Sequence, residues 1–299
     1  MHDSLWWLIF IWCGAFGLAV GSFLNVVIYR LPRKCESIAK GRSFCPKCLK
    51  PIAWYDNIPV LSYIILRGKC RKCGARISPR YLLVELLTGA MFVWLAYRFL
   101  LAKPGEGIIA KTWPLFFIYG ALIAAMIACS FIDLRLRIIP DEIDKLFVLI
   151  GPVVSFTYPE LHASALKHFL WREQILRWQM GENILGFFSS IFGIFVGAGI
   201  IFVAGVLGKA LFKKEAMGGG DLKFMAMIGA FMGWDMTLLA FLLACLIGAI
   251  IGVIVLVATK DHYMPFGPFL ALGAAIVIFF HDALLEAISW YMNILSGST

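Results

Sequence analysis

The chain has 299 residues, of which 61% are hydrophobic and only 15% charged, and its mean hydropathy is +0.86. A soluble domain of this length has too little core to hide so much apolar surface, so the composition excludes a water-soluble globule and makes a bilayer the natural solvent. The net charge of +9, without interleaved aromatics or a nucleic-acid-binding fold, points to membrane topology and anionic-lipid contact and excludes a nucleic-acid partner.

Apolar runs cover about 5–29, 82–102, 113–132, 143–157, 184–208, 222–233, 235–258 and 265–293. Crossing a hydrocarbon core of ~30 Å takes about 20 helical residues, and tilt absorbs the excess. The pattern predicts an all-α polytopic membrane protein with about eight transmembrane helices. The run 143–157 is short unless Pro140 to Glu142 join it, and Gly233-Trp234-Asp235 supplies a turn between 222–233 and 235–258.

No basic region precedes the first run; Arg30 and Arg33 follow it. It therefore reads as a retained helix with its N-terminus outside, not as a cleavable signal peptide. With eight spans, the segments 30–81, 133–142, 209–221 and 259–264 share one side. Together with Lys145 and Lys223 they hold 21 of the 27 Lys and Arg residues, which places that side in the cytoplasm. The outside segment 159–183 reads as an amphipathic surface helix, with Trp171 and Trp178 suited to the interface.

The cytoplasmic insert 30–81 carries Cys45-Pro-Lys-Cys48 and Cys70-Arg-Lys-Cys73. Each C-x2-C pair aims two thiolates at one point, and four thiolates close a tetrahedral zinc site. That shell leaves no open position for water, so the zinc is structural, and it supplies folding energy that a ~50-residue insert cannot raise from its own core. A redox role fits less well, because cytoplasmic thiols are kept reduced. Cys13, Cys129 and Cys245 lie in apolar runs as small hydrophobes, and Cys35 is a spare before the motif. The five histidines show no HExxH or CxxH spacing, which argues against a zinc protease.

Two acidic sites stand where apolar runs meet cytoplasmic loops. Asp133 follows the third run, in Phe131-Ile-Asp-Leu-Arg-Leu-Arg-Ile-Ile-Pro-Asp-Glu142, and Asp221 follows Gly218-Gly219-Gly220 in a GxGD pattern. Ionisable groups at membrane edges are costly and tend to be functional. Two carboxylates brought together share one proton: the charged one activates a water and the protonated one polarises a peptide carbonyl. Each also has a plainer reading. Asp221 can cap the helix that begins near Leu222, and Asp133 can be a boundary charge beside Arg135 and Arg137. Spacing alone leaves Asp141, Glu142 and Asp144 as rival partners.

Taken in order, GSFLNVVIYRLP (21–32), the two C-x2-C pairs, WYDNIPVLSYIILRGKC (54–70), RYLLVELLTG (80–89), IDLRLRIIPDE (132–142), AMGGGDLK (216–223) and PFGPFLALG (265–273) resemble the bacterial type IV prepilin peptidases, membrane aspartic proteases of GxGD type. The resemblance spans nearly the whole chain. It implies Asp133 and Asp221 as the catalytic pair, with Gly218, Gly220 and Asp141 as supporting residues of the motifs. It implies cleavage of the basic leader of prepilins and pseudopilins at the cytoplasmic face of the inner membrane. For the longer bacterial forms it implies N-methylation of the new N-terminus by S-adenosylmethionine. Gly68 and Lys69 match a family segment associated with that second activity. The implied organisation is a first transmembrane helix (1–29), a cytoplasmic four-cysteine domain and candidate methyl-transfer region (30–81), and a transmembrane peptidase domain (82–299).

Pro265-Phe266-Gly267-Pro268 reads either as an irregular backbone edge that pairs with an unwound substrate or as a plain helix start. Two other functions compete with the bifunctional enzyme. One is a peptidase whose insert only positions substrate, which a labelled-methyl assay would separate. The other is a non-enzymatic scaffold or transporter, which the clustering of acids on one face and the absence of a visible repeat disfavour.

Overall fold

A computed structural model describes residues 3–33, 43–101, 109–162, 181–213, 217–259 and 264–296. Cys35 and most of the expected surface helix, residues 163–180, lie outside these segments. Among the described residues the fold is all helical apart from two isolated bridges, Phe44–Pro51 and Lys69–Arg76. The chain forms two compact units, Met1–Arg135 and Leu136–Thr299.

In the first unit, α1 (Asp3–Arg30) and α3 (Pro79–Ala96) pack along each other, with the insert and the short α2 (Leu61–Ile65) between them in sequence. Small residues set the approach. A Cβ on Gly17 would fall 2.6 Å from Phe92 Cβ, and one on Gly21 would fall 2.8 Å from Glu85 Cα. The helix α3 starts cleanly, with Ser78 accepting from the Arg80 N–H and Pro79 at the first helical position. Phe16, Phe92 and Phe117 bring α4 (Ile109–Leu136) into this unit, with Phe16 making edge contacts to both rings at 5.7 and 6.0 Å. The helix α4 runs past the expected end at 132, so Asp133 sits within its last turn. Leu134, Arg135 and Leu136 favour helix, and termination comes at Arg137, which takes a left-handed φ of 57°.

The second unit contains α5 (Asp141–Thr157), a 3-10 turn (Pro159–His162), α6 (Glu182–Phe212), α7 (Gly219–Thr259) and α8 (Gly267–Ser296). Here backbone meets backbone. A Cβ on Gly193 of α6 would lie 2.2 Å from the Gly229 carbonyl oxygen of α7, and one on Gly229 would lie 2.1 Å from the Gly193 oxygen. Gly197 faces the Met225 carbonyl one turn along, and Gly273 of α8 faces that of Ala240. Glycines allow such crossings in lipid, where helix association has no hydrophobic drive of its own.

Among the described residues, six helices are long and apolar enough to cross a membrane: α1, α3, α4, α6, α7 and α8. The 41 residues of α7 would span ~60 Å as one rod, about twice the hydrocarbon thickness. Gly233 breaks it with φ 77° and ψ 176°, at the turn expected from Gly233-Trp234-Asp235. The break interrupts the helical ladder. Just before it, the Ala230 carbonyl accepts from Ser190 Oγ at 2.7 Å and from Ser155 Oγ at 3.5 Å. Buried His162 joins this chain through Nε2, 2.8 Å from Ser155 Oγ.

Candidate functional site

The four cysteines of the insert converge: their sulfurs all lie within 4.8 Å of one another, with Cys45 Sγ 3.9 Å from Cys73 Sγ. A tetrahedron built on Zn–S bonds of ~2.3 Å has edges of ~3.8 Å, so the donor set fits zinc. Two like-built knuckles produce it. In the first, the Cys45 N–H donates to the Lys50 carbonyl and Leu49 N–H to that of Cys45; in the second, Cys70 N–H donates to Ala75 and Gly74 N–H to Cys70. Leu49 (φ 56°) and Gly74 (φ 70°) hold the same left-handed position after each pair.

The knuckles also set the sulfur chemistry. The N–H groups of Lys72 and Cys73 pull the Cys70 thiol down to about 7. At Cys73 the Ala75 N–H favours the thiolate, but lost hydration and the sulfurs of Cys70, Cys48 and Cys45 push it up to about 11. Four adjacent thiolates repel one another, and a divalent cation removes that penalty.

The insert is tied to the helices beneath it. Arg71 grips Asp56 through both carboxylate oxygens at 2.7–3.0 Å, which holds the Asp56 carboxyl below its ordinary value. The Val60 N–H donates to Glu85 Oε2 of α3 at 2.8 Å, and Asn25 Nδ2 of α1 donates to the Tyr81 carbonyl at 3.0 Å. Between insert, α1 and α3 lies a cavity of about 660 Å³. Asn25 and Glu85, polar residues within apolar runs, are functional candidates that no motif singles out in the sequence.

The acidic sites fall in different units. Asp133, 6% exposed, belongs to the first unit, two residues before its end. Asp221 belongs to the second, half-buried in the first turn of α7, where its Oδ2 accepts from the Gly218 N–H at 3.3 Å. The helix begins at Gly219, three residues before the expected start near Leu222, so Asp221 is not its N-cap but reaches back from inside the first turn in a capping contact. A Cβ on Gly220 would approach Ile139 Cβ to 3.2 Å, so the glycine leaves room for the segment that leads into α5.

The N-terminus of α5 meets that of α7. Asp141 receives Lys223 Nζ at 2.6 Å and Lys145 Nζ at 2.7 Å, and these two cations hold its carboxyl at about 2. Asp144 is fully buried one turn on, within electrostatic reach of Asp141, Lys223 and Asp221. Lys223 as the partner of Asp141 was not foreseen; the two are 82 residues apart, and no local signal links them.

Residues 15–99 match the Bacterial Peptidase A24 N-terminal domain, and residues 120–253 match the Type IV leader peptidase family. The chain is 33% identical to the prepilin leader peptidase/N-methyltransferase of Aeromonas hydrophila, over 98% of its own length and 97% of the relative's. It is 30% identical to the protein of that name from Neisseria gonorrhoeae over 93% and 92%, and 33% identical to that from Pseudomonas aeruginosa over 90% and 89%. The chain belongs to the type IV leader peptidase family. No solved structure matches it.

The remaining segments of the family resemblance have plain local structures. Gly68 has φ 65°, and a Cβ there would come 3.0 Å from the Tyr63 hydroxyl; Lys69 bridges to Arg76 in the second knuckle. Gly267 begins α8 with Pro268 in its first turn, and the Phe269 and Leu270 N–H groups donate to the Phe266 carbonyl. That is the helix-start reading of Pro265–Pro268.

Proposed function

We infer that the chain is a bifunctional enzyme of the bacterial cytoplasmic membrane, which cleaves the leader of prepilins or pseudopilins and N-methylates the new N-terminus. The observation that carries this reading is identity of 33% over 98% of the chain to a prepilin leader peptidase/N-methyltransferase, with both expected aspartates at helix ends, in the last turn of α4 and the first of α7. The excess of Lys and Arg in the segments beside those ends supports a cytoplasmic active side, an N-terminus outside and eight spans, with α5 and both halves of α7 crossing.

Asp133 and Asp221 act as the two carboxylates. One, ionised, accepts a proton from the attacking water; the other, protonated, donates to the carbonyl oxygen and later helps the amine leave. Gly218 and Gly220 shape the turn that presents Asp221, and Asp141 with Lys223 holds the start of α5 against that of α7. Asp144 is the rival to Asp133, supported by its burial and its reach to Asp221.

Cys45, Cys48, Cys70 and Cys73 would hold zinc in a purely structural shell, and S-adenosylmethionine supplies the methyl group when bound. Gly68 acts on methyl transfer by fixing the turn that positions Tyr63, and Lys69 by closing the knuckle. Cleavage of a prepilin in vesicles by wild type, Asp133→Asn, Asp221→Asn and Asp144→Asn tests the dyad. Loss of about 10³-fold or more in the first two only is expected; normal cleavage by Asp133→Asn with loss in Asp144→Asn would reassign the pair.

A further inference from the structure

Charge is arranged along the cavity of the first unit in a way the peptidase reaction does not use. Among the residues that line it, Arg30 ends α1 and Arg80 stands in the first turn of α3, whereas Ser22 and Asn25 lie one to two turns back along α1 and Glu85 lies ~9 Å into α3 from its start. The two helices pack closely at this level, where a Cβ on Gly21 would meet the Glu85 backbone. Arginines thus line the cavity at the insert end of both helices, and a carboxylate with polar neighbours lines it farther along them. Two lining atoms are buried with no hydrogen-bond partner among the described residues: the Asn25 Oδ1 acceptor and the Arg80 Nε donor. Such orphans call for a partner from outside the chain. The volume, about 660 Å³, falls within the ~300–1,000 Å³ typical of small-molecule sites, and Tyr63 offers a ring for an aromatic base.

We propose that this cavity is the methyl-donor site, with Glu85 and Asn25 facing the cationic sulfonium and ammonium of S-adenosylmethionine and Arg80 facing its carboxylate. A bare anion such as a lipid phosphate would satisfy the arginines but would meet Glu85 as a like charge in the same cavity. The assignment also accounts for Gly68, since Tyr63 both lines the cavity and stands against that glycine. It rests on the methyl-transfer reading above.

The test is equilibrium binding of S-adenosylmethionine and S-adenosylhomocysteine to the full-length, zinc-loaded protein in detergent. The two ligands differ by the methyl group and the sulfonium charge. Glu85→Gln keeps an acceptor for the Val60 N–H but removes the negative charge. It is expected to weaken the sulfonium ligand about tenfold, the weight of one charge-assisted contact, and the neutral thioether less than about threefold. Ultraviolet crosslinking of labelled S-adenosylmethionine to the wild type, which depends on no variant folding, is expected to mark peptides within 22–30 or 78–85. Equal weakening of both ligands, no weakening, or crosslinks confined to other segments would overturn the assignment. So would labelling of these peptides by a phosphatidylglycerol probe that S-adenosylmethionine fails to displace. A wild type that cleaves prepilin but binds no S-adenosylmethionine would instead sink the methyl-transfer reading, whereas one that methylates with crosslinks elsewhere would sink only the cavity.

Discussion

The insert of the first unit and the helix crossings of the second solve opposite problems. The insert has little core of its own, and its fold converges on four sulfurs within 4.8 Å. The second unit has apolar surface in abundance but, in lipid, gains little by hiding it. Its helices are located by carbonyl oxygens that come so close that only glycine fits, as at Gly193 and Gly229. On the proposed zinc site, one region depends on a ligand from outside the chain, the other on the absence of side chains. The same sequence therefore has two distinct weak points, one chemical and one steric.

The largest expected effect breaks the insert. Structural zinc contributes ~10–16 kcal/mol to small domains of this kind, so Cys48→Ser or prolonged chelation should reduce bound zinc from one per chain to none. Limited proteolysis should then cut between 43 and 77 while the helices of the second unit stay protected. Cleavage spread evenly over both units would contradict the division. The converse experiment is Gly229→Leu, whose Cβ would meet the Gly193 oxygen. It should cost about 3 kcal/mol or more, read as a lower melting temperature in detergent with zinc content unchanged in the protein that remains folded.

A smaller effect separates the two regions by pH. Burial lowers His162 to about 4. Its folded value is thus below the unfolded ~6.5, so the stability it permits is full above about 6.5 and is lost as pH falls toward 4. That loss approaches about 3 kcal/mol. The melting temperature of the wild type should drop over this window more steeply than that of His162→Gln; parallel curves would remove the buried neutral imidazole from the account. The smallest effect belongs to Asp141→Asn. Its pairs with Lys145 and Lys223 are solvent-exposed, so stability should change by less than about 1 kcal/mol. A collapse of cleavage in that folded variant would move Asp141 from support into the chemistry.

Much of this was legible in the sequence, because the informative signals are local. The two C-x2-C pairs, the GxGD turn, Pro140-Asp141 at a helix start and the break at Gly233 each depend on a few consecutive residues. What escaped depends on contacts across the chain. Nothing near Gly193 or Gly229 says which of the 28 glycines face another backbone. The Lys223–Asp141 pair joins two helix starts far apart in sequence. The kinship of the two knuckles was hidden because Leu49 occupies the left-handed position that Gly74 fills in the other. The cavity is lined by residues from α1 and α3 that flank the whole insert.

On the proposed function, cleavage and methyl transfer use separate sets of residues, Asp133 and Asp221 at helix ends for one and the cavity between insert, α1 and α3 for the other. The most direct test is to give Asp221→Asn an already cleaved pilin with labelled S-adenosylmethionine, alongside an intact prepilin. Methylation at the wild-type rate and no cleavage are expected. Methylation lost in step with cleavage, in a variant that still binds zinc and melts as the wild type does, would contradict that separation.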